Sequence, residues 1–471
     1  MFRLLRAFFI EFNSMKKTII IGITLLLAGL LYYHYSLSPK LGIMTGYSAK
    51  ILCSCHFVSG MDQEEIEAID LGFGPLWLAT NRIDKNSKRV YSSVLGLQKK
   101  TAIYREGLGC TLIHDRSIAE VERDSFDRAS LQFAASKWPG HEVKPEGALW
   151  DAMLQGFDKE GEQVLNTRAL LVVKNGEIIG EMYGPGFDYR SKLPGWSMMK
   201  SVSAAFVGLL IRDGLLDPDA PAPIKEWKDD ERSKISLRHL VNMCSGLDWE
   251  EDYTTVSTAT TMLYSRDDMG TYAASVPIKH EPGSHWYYSS GTSNILTRIC
   301  AEALGGHDAF RQYAYKELFE PLGMRDFLVE TDASGSFVGS SYGYGSARDW
   351  AKFALLHLRQ GNWYGQEILD SSWVKFCTTP ISESGGRYGG QFWCNGDGGF
   401  ANYAPNAYWL GGFQGKQVSV HPDEDLIVVR IGVTYDTGTI DFDSLIGGVI
   451  LAARDQESHE NKPEEEVEKA L

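Results

Sequence analysis

Basic residues are the minority charge in this chain. Its 471 residues carry 46 Lys and Arg against 61 Asp and Glu, a formal net charge of −15. Nothing in that balance neutralises phosphates, so no nucleic-acid partner is expected. The zinc-protease pattern His-Glu-x-x-His and the P-loop pattern Gly-x-x-x-x-Gly-Lys-Ser/Thr are both absent. Cysteine is sparse, at seven, and Cys53-Ser54-Cys55 has no matching pair at metal-ligand spacing. His239, His280, His285, His357 and His421 are scattered and read as structural. No metal and no cofactor are therefore expected. There are no internal repeats, and only one apolar run approaches the length of a membrane span.

That run is N-terminal. Met15-Lys16-Lys17 precedes Thr18 to Tyr33, which is almost wholly apolar. It is a little short of the roughly 20 residues that cross a bilayer, and Tyr32, Tyr33 and Tyr35 supply an interfacial belt at its far end. Tyr-His-Tyr-Ser-Leu-Ser-Pro is a poor cleavage site, so an uncleaved anchor is expected, with residues 18–37 in the lipid bilayer. Arg3, Arg6, Lys16 and Lys17 lie before the segment. The positive-inside rule then leaves the body outside the cytoplasm, on a single-pass membrane protein. An exported location makes a disulfide from Cys53 or Cys55 to Cys110 reasonable, whereas Cys244, Cys300, Cys377 and Cys394 read as core.

Hydrophobic content of 44% and charged content of 23% are ordinary for a globular protein, and the length suggests two structural parts. Residues 1–40 read as a cytoplasmic stub and anchor, 41–147 as a small mixed subdomain, 148–454 as the main body and 455–471 as an acidic tail containing Glu464-Glu465-Glu466-Val467-Glu468. Arg89–Leu97 and Lys100–Tyr104 look like a hairpin. So do Arg168–Val173 and Glu177–Tyr183, joined by Lys174-Asn175-Gly176 with its favoured Asn-Gly turn. Residues 235 to about 376 are mostly helical, and strands return at Gln417–Val420 and Leu426–Val433 before a last helix at Ser444–Arg454. Strands at both ends with helices between predict an α+β fold. Its antiparallel sheet is assembled from the two ends, with a helical part facing it across a cleft.

The chemistry centres on Trp196-Ser197-Met198-Met199-Lys200. The following Ala204–Ile211 stretch has no polar face and reads as a buried helix. Ser197 and Lys200, at i and i+3, share one side of it. A lysine among apolar groups loses proton affinity and can take the serine's proton. Ser-x-x-Lys also occurs by chance, as a cap followed by a surface lysine. Two further stretches can meet it. Glu281-Pro282-Gly283 leads to Tyr288, a candidate proton carrier, and Trp409-Leu410-Gly411-Gly412-Phe413 can offer a backbone N–H to an oxyanion. Gly339-Ser340-Ser341-Tyr342-Gly343 matches a nucleophile elbow, but its surroundings lack the strand–turn–helix alternation an elbow needs.

These stretches, in this order, resemble the serine β-lactamase and penicillin-binding-protein superfamily on its class C side. The likeness is strongest to 6-aminohexanoate-dimer hydrolases and family VIII-type esterases, over roughly residues 148–454. Ser197-Met198-Met199-Lys200 matches Ser-x-x-Lys, and Cys244-Ser245-Gly246-Leu247 resembles the helix end in Ser-Gly-Leu. Tyr288-Ser289-Ser290 stands where the family has Tyr-x-Asn, and Gly345-Ser346-Ala347-Arg348-Asp349-Trp350 resembles Ser-Thr-x-x-Asp-Leu. The resemblance implies an acyl-enzyme on Ser197, with Lys200 and Tyr288 managing its proton, and Gly412, Phe413 and Ser290 toward the oxyanion or substrate. Lys-Thr-Gly is missing, only Gly411-Gly412-Phe413 taking its place, which favours small ester, amide or peptide substrates over β-lactams. A D-Ala-D-Ala carboxypeptidase or lactamase-like cell-wall enzyme, and a silent binding protein of the same fold, are the alternatives.

Overall fold

The computed structural model describes residues 2–460. The expected Glu464–Glu468 tail lies outside the described residues, as do the side chains of Arg3 and Arg6. The N-terminal apolar run is helical from Phe2 to Tyr32, passes through a π-turn at Tyr33–Leu37, and continues as Ser38–Phe57. Pro39 follows directly on the π-turn, where the i→i−4 ladder is already interrupted, and the helix continues through it. Among the described residues, Lys16–Phe57 contains the one stretch long and apolar enough to cross a membrane. The helix changes character along its length. Ile19–Leu31 lie outside the body, whereas Leu41–Cys55 are largely buried within it.

Four antiparallel strands pair in sequence order beside Ser38–Phe57: β1 (Thr80–Asp84), β2 (Arg89–Val94), β3 (Leu97–Arg105) and β4 (Gly109–Ile113). The Cys53–Cys110 disulfide ties this helix to β4. Cys55 remains a buried free thiol, its Sγ 3.8 Å from Asp70 Oδ1. Two buried ion pairs fasten the segment to the rest of the chain. Lys50 meets Glu330, and Arg168 meets Asp70 at 2.6 and 3.0 Å.

The main sheet has six antiparallel strands drawn from both ends of the body. They are β5 (Thr167–Lys174), β6 (Glu177–Tyr183), β7 (Trp393–Cys394), β8 (Tyr408–Gly412), β9 (Lys416–His421) and β10 (Leu426–Gly432), in the spatial order β7-β8-β9-β10-β5-β6. Asn175 and Gly176 both have positive φ, which suits the tight β5–β6 turn. Alternation along β5 serves two cores. Ala169, Leu171 and Val173 face the helical part, while Leu170 and Val172 pack with Leu149, Met153, Ile446 and Val449 from helices on the other face. With both faces covered, β5 and β10 carry continuous apolar runs, Ala169–Val173 and Leu426–Val429. The Met199–Arg212 helix lies in the larger core, packed against Ser290–Ala303.

Candidate active site

Ser197 sits in a 3-10 turn, Trp196–Met198, that opens directly into Met199–Arg212. The turn is held from several sides. Gly195 N–H donates to Gly343 O at 2.8 Å, and a Cβ on Gly195 would lie 2.1 Å from the Trp350 ring. Trp196 has φ +50°, a left-handed conformation costly for a bulky residue. Its indole is kept there by Tyr47, stacked at 6.0 Å from the N-terminal helix, and by the edge of Phe413 at 5.6 Å. Tyr47, in the segment read from sequence as a small mixed subdomain, thus helps hold the turn that presents Ser197.

Lys200 is buried, 1% exposed, and its Nζ donates to Ser197 Oγ at 3.0 Å, Ser290 Oγ at 2.9 Å and Ser340 O at 3.1 Å. An ammonium has three protons, and these acceptors use all of them. Burial lowers its pKa to about 8, with Glu251 pulling the other way. Tyr288 packs on the same group, its ring centroid 4.7 Å from Nζ. Burial and then the Glu251 charge hold the Tyr288 phenol well above its ordinary value, with Ser197 hydrogen bonding as a smaller opposing effect. Trp393 stacks on the Tyr288 ring at 5.4 Å. Tyr288, distant in sequence, therefore meets Ser197 and Lys200 at one point.

Ser290 is placed differently from a substrate contact. It is fully buried, its hydroxyl accepts from Lys200 and donates to Glu251, and its N–H donates to Glu251 Oε2 at 2.8 Å. Glu251 also accepts from Trp249 Nε1 at 2.6 Å and Tyr253 OH at 2.9 Å. Four donors thus converge on one carboxylate at the head of the Ser290 helix, where a negative charge also suits the helix dipole. The sequence gives no sign of this role: Asp248-Trp249-Glu250-Glu251-Asp252 has the look of a solvated acidic turn.

The glycine stretch lies against the turn that carries Ser197. A Cβ on Gly412 would fall 2.3 Å from Gly195 O, so only glycine permits that approach. Phe413 follows, and its carbonyl accepts from the buried Lys416 Nζ at 3.3 Å. Lys416 also donates to Gly432 O at 2.7 Å and Gln414 Oε1 at 3.2 Å, anchoring the turn after β8. Its pKa is lowered to about 7 by burial and then by Arg168. Gly412, Phe413, Ser197 and Tyr288 all line a cleft of about 830 Å³, whose further walls are mainly apolar. Ser290 does not line it. The elbow-like Ser340 and Ser341 are buried away from it, with Ser340 supplying a carbonyl to Lys200. Among the described residues no group of His, Cys, Asp and Glu is arranged to hold a metal.

A buried amine against a hydroxyl, with a phenol above and glycine backbone alongside, is an arrangement suited to acyl transfer. Known proteins agree with the fold. The beta-lactamase family profile matches residues 150–437. A 6-aminohexanoate-dimer hydrolase of Paenarthrobacter ureafaciens is 24% identical over 314 residues, 60% of this chain and 77% of that protein. A candidate 6-aminohexanoate-dimer hydrolase from Bacillus anthracis superposes with TM-score 0.56 at 18% identity, covering 70% of this chain and 90% of its own. A family VIII carboxylesterase gives TM-score 0.52 at 18% identity, over 65% and 96% of the two chains. The chain belongs to the beta-lactamase family and is a hydrolase of that fold.

Proposed function

We propose that the protein is a membrane-anchored serine hydrolase that cleaves an ester or amide through an acyl-enzyme on Ser197. Its body, residues 148–454, would stand outside the cytoplasm on the helix that contains residues 18–37. The observation that carries the chemistry is the buried Lys200 Nζ, 3.0 Å from Ser197 Oγ, with a pKa of about 8. In its neutral form this amine takes the Ser197 proton as Oγ attacks the carbonyl. Tyr288, kept protonated by its surroundings, relays a proton to the departing alcohol or amine. Backbone N–H groups of Ser197 and the Gly412–Phe413 stretch receive the oxyanion. Water then attacks the acyl group by the reverse route, freeing the acid and returning the proton to Ser197. The 6-aminohexanoate-dimer hydrolase and the carboxylesterase among its relatives support amide or ester substrates.

A fluorophosphonate should add covalently to the wild-type protein at Ser197, seen by intact mass and peptide mapping, and not to Ser197→Ala. Labelling at another serine, or none, would remove the acyl-enzyme and leave a binding protein of the same fold. A penicillin adduct on Ser197 would move the assignment toward a cell-wall enzyme.

Glu251 offers a second test with a defined sign. kcat/KM reports the free enzyme, so it should rise with pH as Lys200 loses its proton and level off above about 8. The Glu251 charge favours the ammonium. Glu251→Gln should therefore move that limb to lower pH. It should also cost about 10-fold to 100-fold at the plateau, because Ser290 and Tyr253 lose a charged acceptor. A limb that stays put, or moves to higher pH, contradicts the coupling.

A further inference from the structure

One wall of the cleft belongs to the N-terminal helix. Lys40, Ile43, Met44 and Tyr47 recur at i, i+3, i+4 and i+7, so they form a single stripe along Ser38–Phe57. Facing them are Phe73, Leu76, Trp196, Val256 and Phe413. The same unbroken helix carries the exposed apolar segment Ile19–Leu31. From Tyr35, at the edge of that segment, to Ile43 and Tyr47 in the cleft is about 12 to 18 Å at 1.5 Å per residue. That distance is within the length of one extended fatty acyl chain.

The rim where the helix leaves the body is also apolar. Trp77, 77% exposed, directly follows the cleft-lining Leu76. Leu95, 92% exposed, tips the β2–β3 hairpin, and Gln98 of that hairpin donates to Ser38 Oγ at 2.7 Å. Large side chains so exposed beside an apolar helix are suited to hydrocarbon more than to water. An enzyme for small soluble esters needs neither this rim nor a cleft wall made by its own anchor.

We propose that the substrate is a long-chain fatty acyl ester or amide drawn from the lipid phase. Its tail lies along the Ile43–Met44–Tyr47 stripe and its carbonyl reaches Ser197. The proposal rests on the acyl-enzyme reading above. The acyl carbon bonds to Ser197 Oγ as its bond to the alcohol or amine breaks, the leaving group takes the serine's proton, and water releases the fatty acid.

The test uses the full chain in detergent with p-nitrophenyl esters of two to twelve carbons. Burying each methylene is worth about 0.8 kcal/mol, so kcat/KM should climb up to about fourfold per methylene before a plateau. Ile43→Trp, which fills the cleft, should cut the ratio of dodecanoyl to butanoyl turnover at least tenfold. Because this is a ratio, it is insensitive to how much protein folds. In phosphatidylcholine vesicles carrying a dodecanoyl ester, Trp77→Glu/Leu95→Glu should lower turnover relative to the same ester in detergent. A flat or falling chain-length series, with Ser197 still acylated, overturns the lipid substrate and leaves the hydrolase intact. No acylation at all overturns the hydrolase reading itself. Long-chain turnover that the rim variant does not affect in vesicles would overturn delivery from the lipid phase.

Discussion

Lys200→Met is expected to lower kcat/KM for p-nitrophenyl butyrate by about 10²-fold to 10⁴-fold, the range for removing a general base. Methionine keeps the unbranched length of the lysine stem and removes the amine that meets Ser197, Ser290 and the Ser340 carbonyl, none of which is a buried charge. The loss should therefore appear in rate and not in fold, with an unchanged circular dichroism spectrum as the control. Lys200→Arg sharpens the point. It keeps a positive charge beside Ser197, Ser290 and the Ser340 carbonyl, but a guanidinium does not give up its proton in this pH range. If Lys200 acts only as a fixed charge, arginine rescues. If it acts as the base, arginine is as poor as methionine and both variants lose the ascending pH limb near 8. Residual activity within tenfold of wild type in Lys200→Met would pass the base role to another group. Tyr288 is an unpromising substitute, since burial and Glu251 both oppose its ionisation.

How far the sequence foretold this site depended on whether a residue's role is local. Ser197 and Lys200 were visible because i, i+3 spacing on an apolar helix is a one-dimensional signal. The Asn175-Gly176 turn, and strands at both ends of the body, were visible for the same reason. Glu251 was not, because its donors come from Trp249, Tyr253 and the distant Ser290, and only the folded chain gathers them. The helix Ser38–Phe57 was hidden for a different reason. It is buried around most of its circumference, with Thr45, Ser48, Lys50 and Ser54 inside. Its pattern therefore shows neither an amphipathic stripe nor a pure apolar run. Helical geometry also resolves the cysteine alternatives. Cys53 and Cys55 are about 200° apart around the axis, so only one of them can face Cys110.

The same helix carries the other large expected effect, on stability. Lys50 and Glu330 have side chains 1% and 0% exposed. Lys50 also donates to Ser54 Oγ at 2.8 Å, and Ser54 Oγ and Cys110 N–H donate to the Glu330 carboxylate at 2.9 and 2.6 Å. Lys50→Met leaves that carboxylate buried without its cation, a change that costs about 3–5 kcal/mol. Lys50→Met/Glu330→Gln removes both charges and keeps a polar partner for Ser54 and Cys110, so it should recover most of the loss. Thermal melts of the two variants decide the matter. Equal losses would mean that the pair is not what fastens the helix. The consequence should reach the active site, because Tyr47 lies one turn before Lys50 and its ring stacks on Trp196 at 6.0 Å. Trp196 holds a left-handed conformation that its neighbours must enforce. Below its melting point, Lys50→Met should therefore also lose activity, and the double variant should regain both together. Recovery of the melting temperature without recovery of turnover would separate the Ser38–Phe57 helix from the Trp196–Met198 turn that it touches.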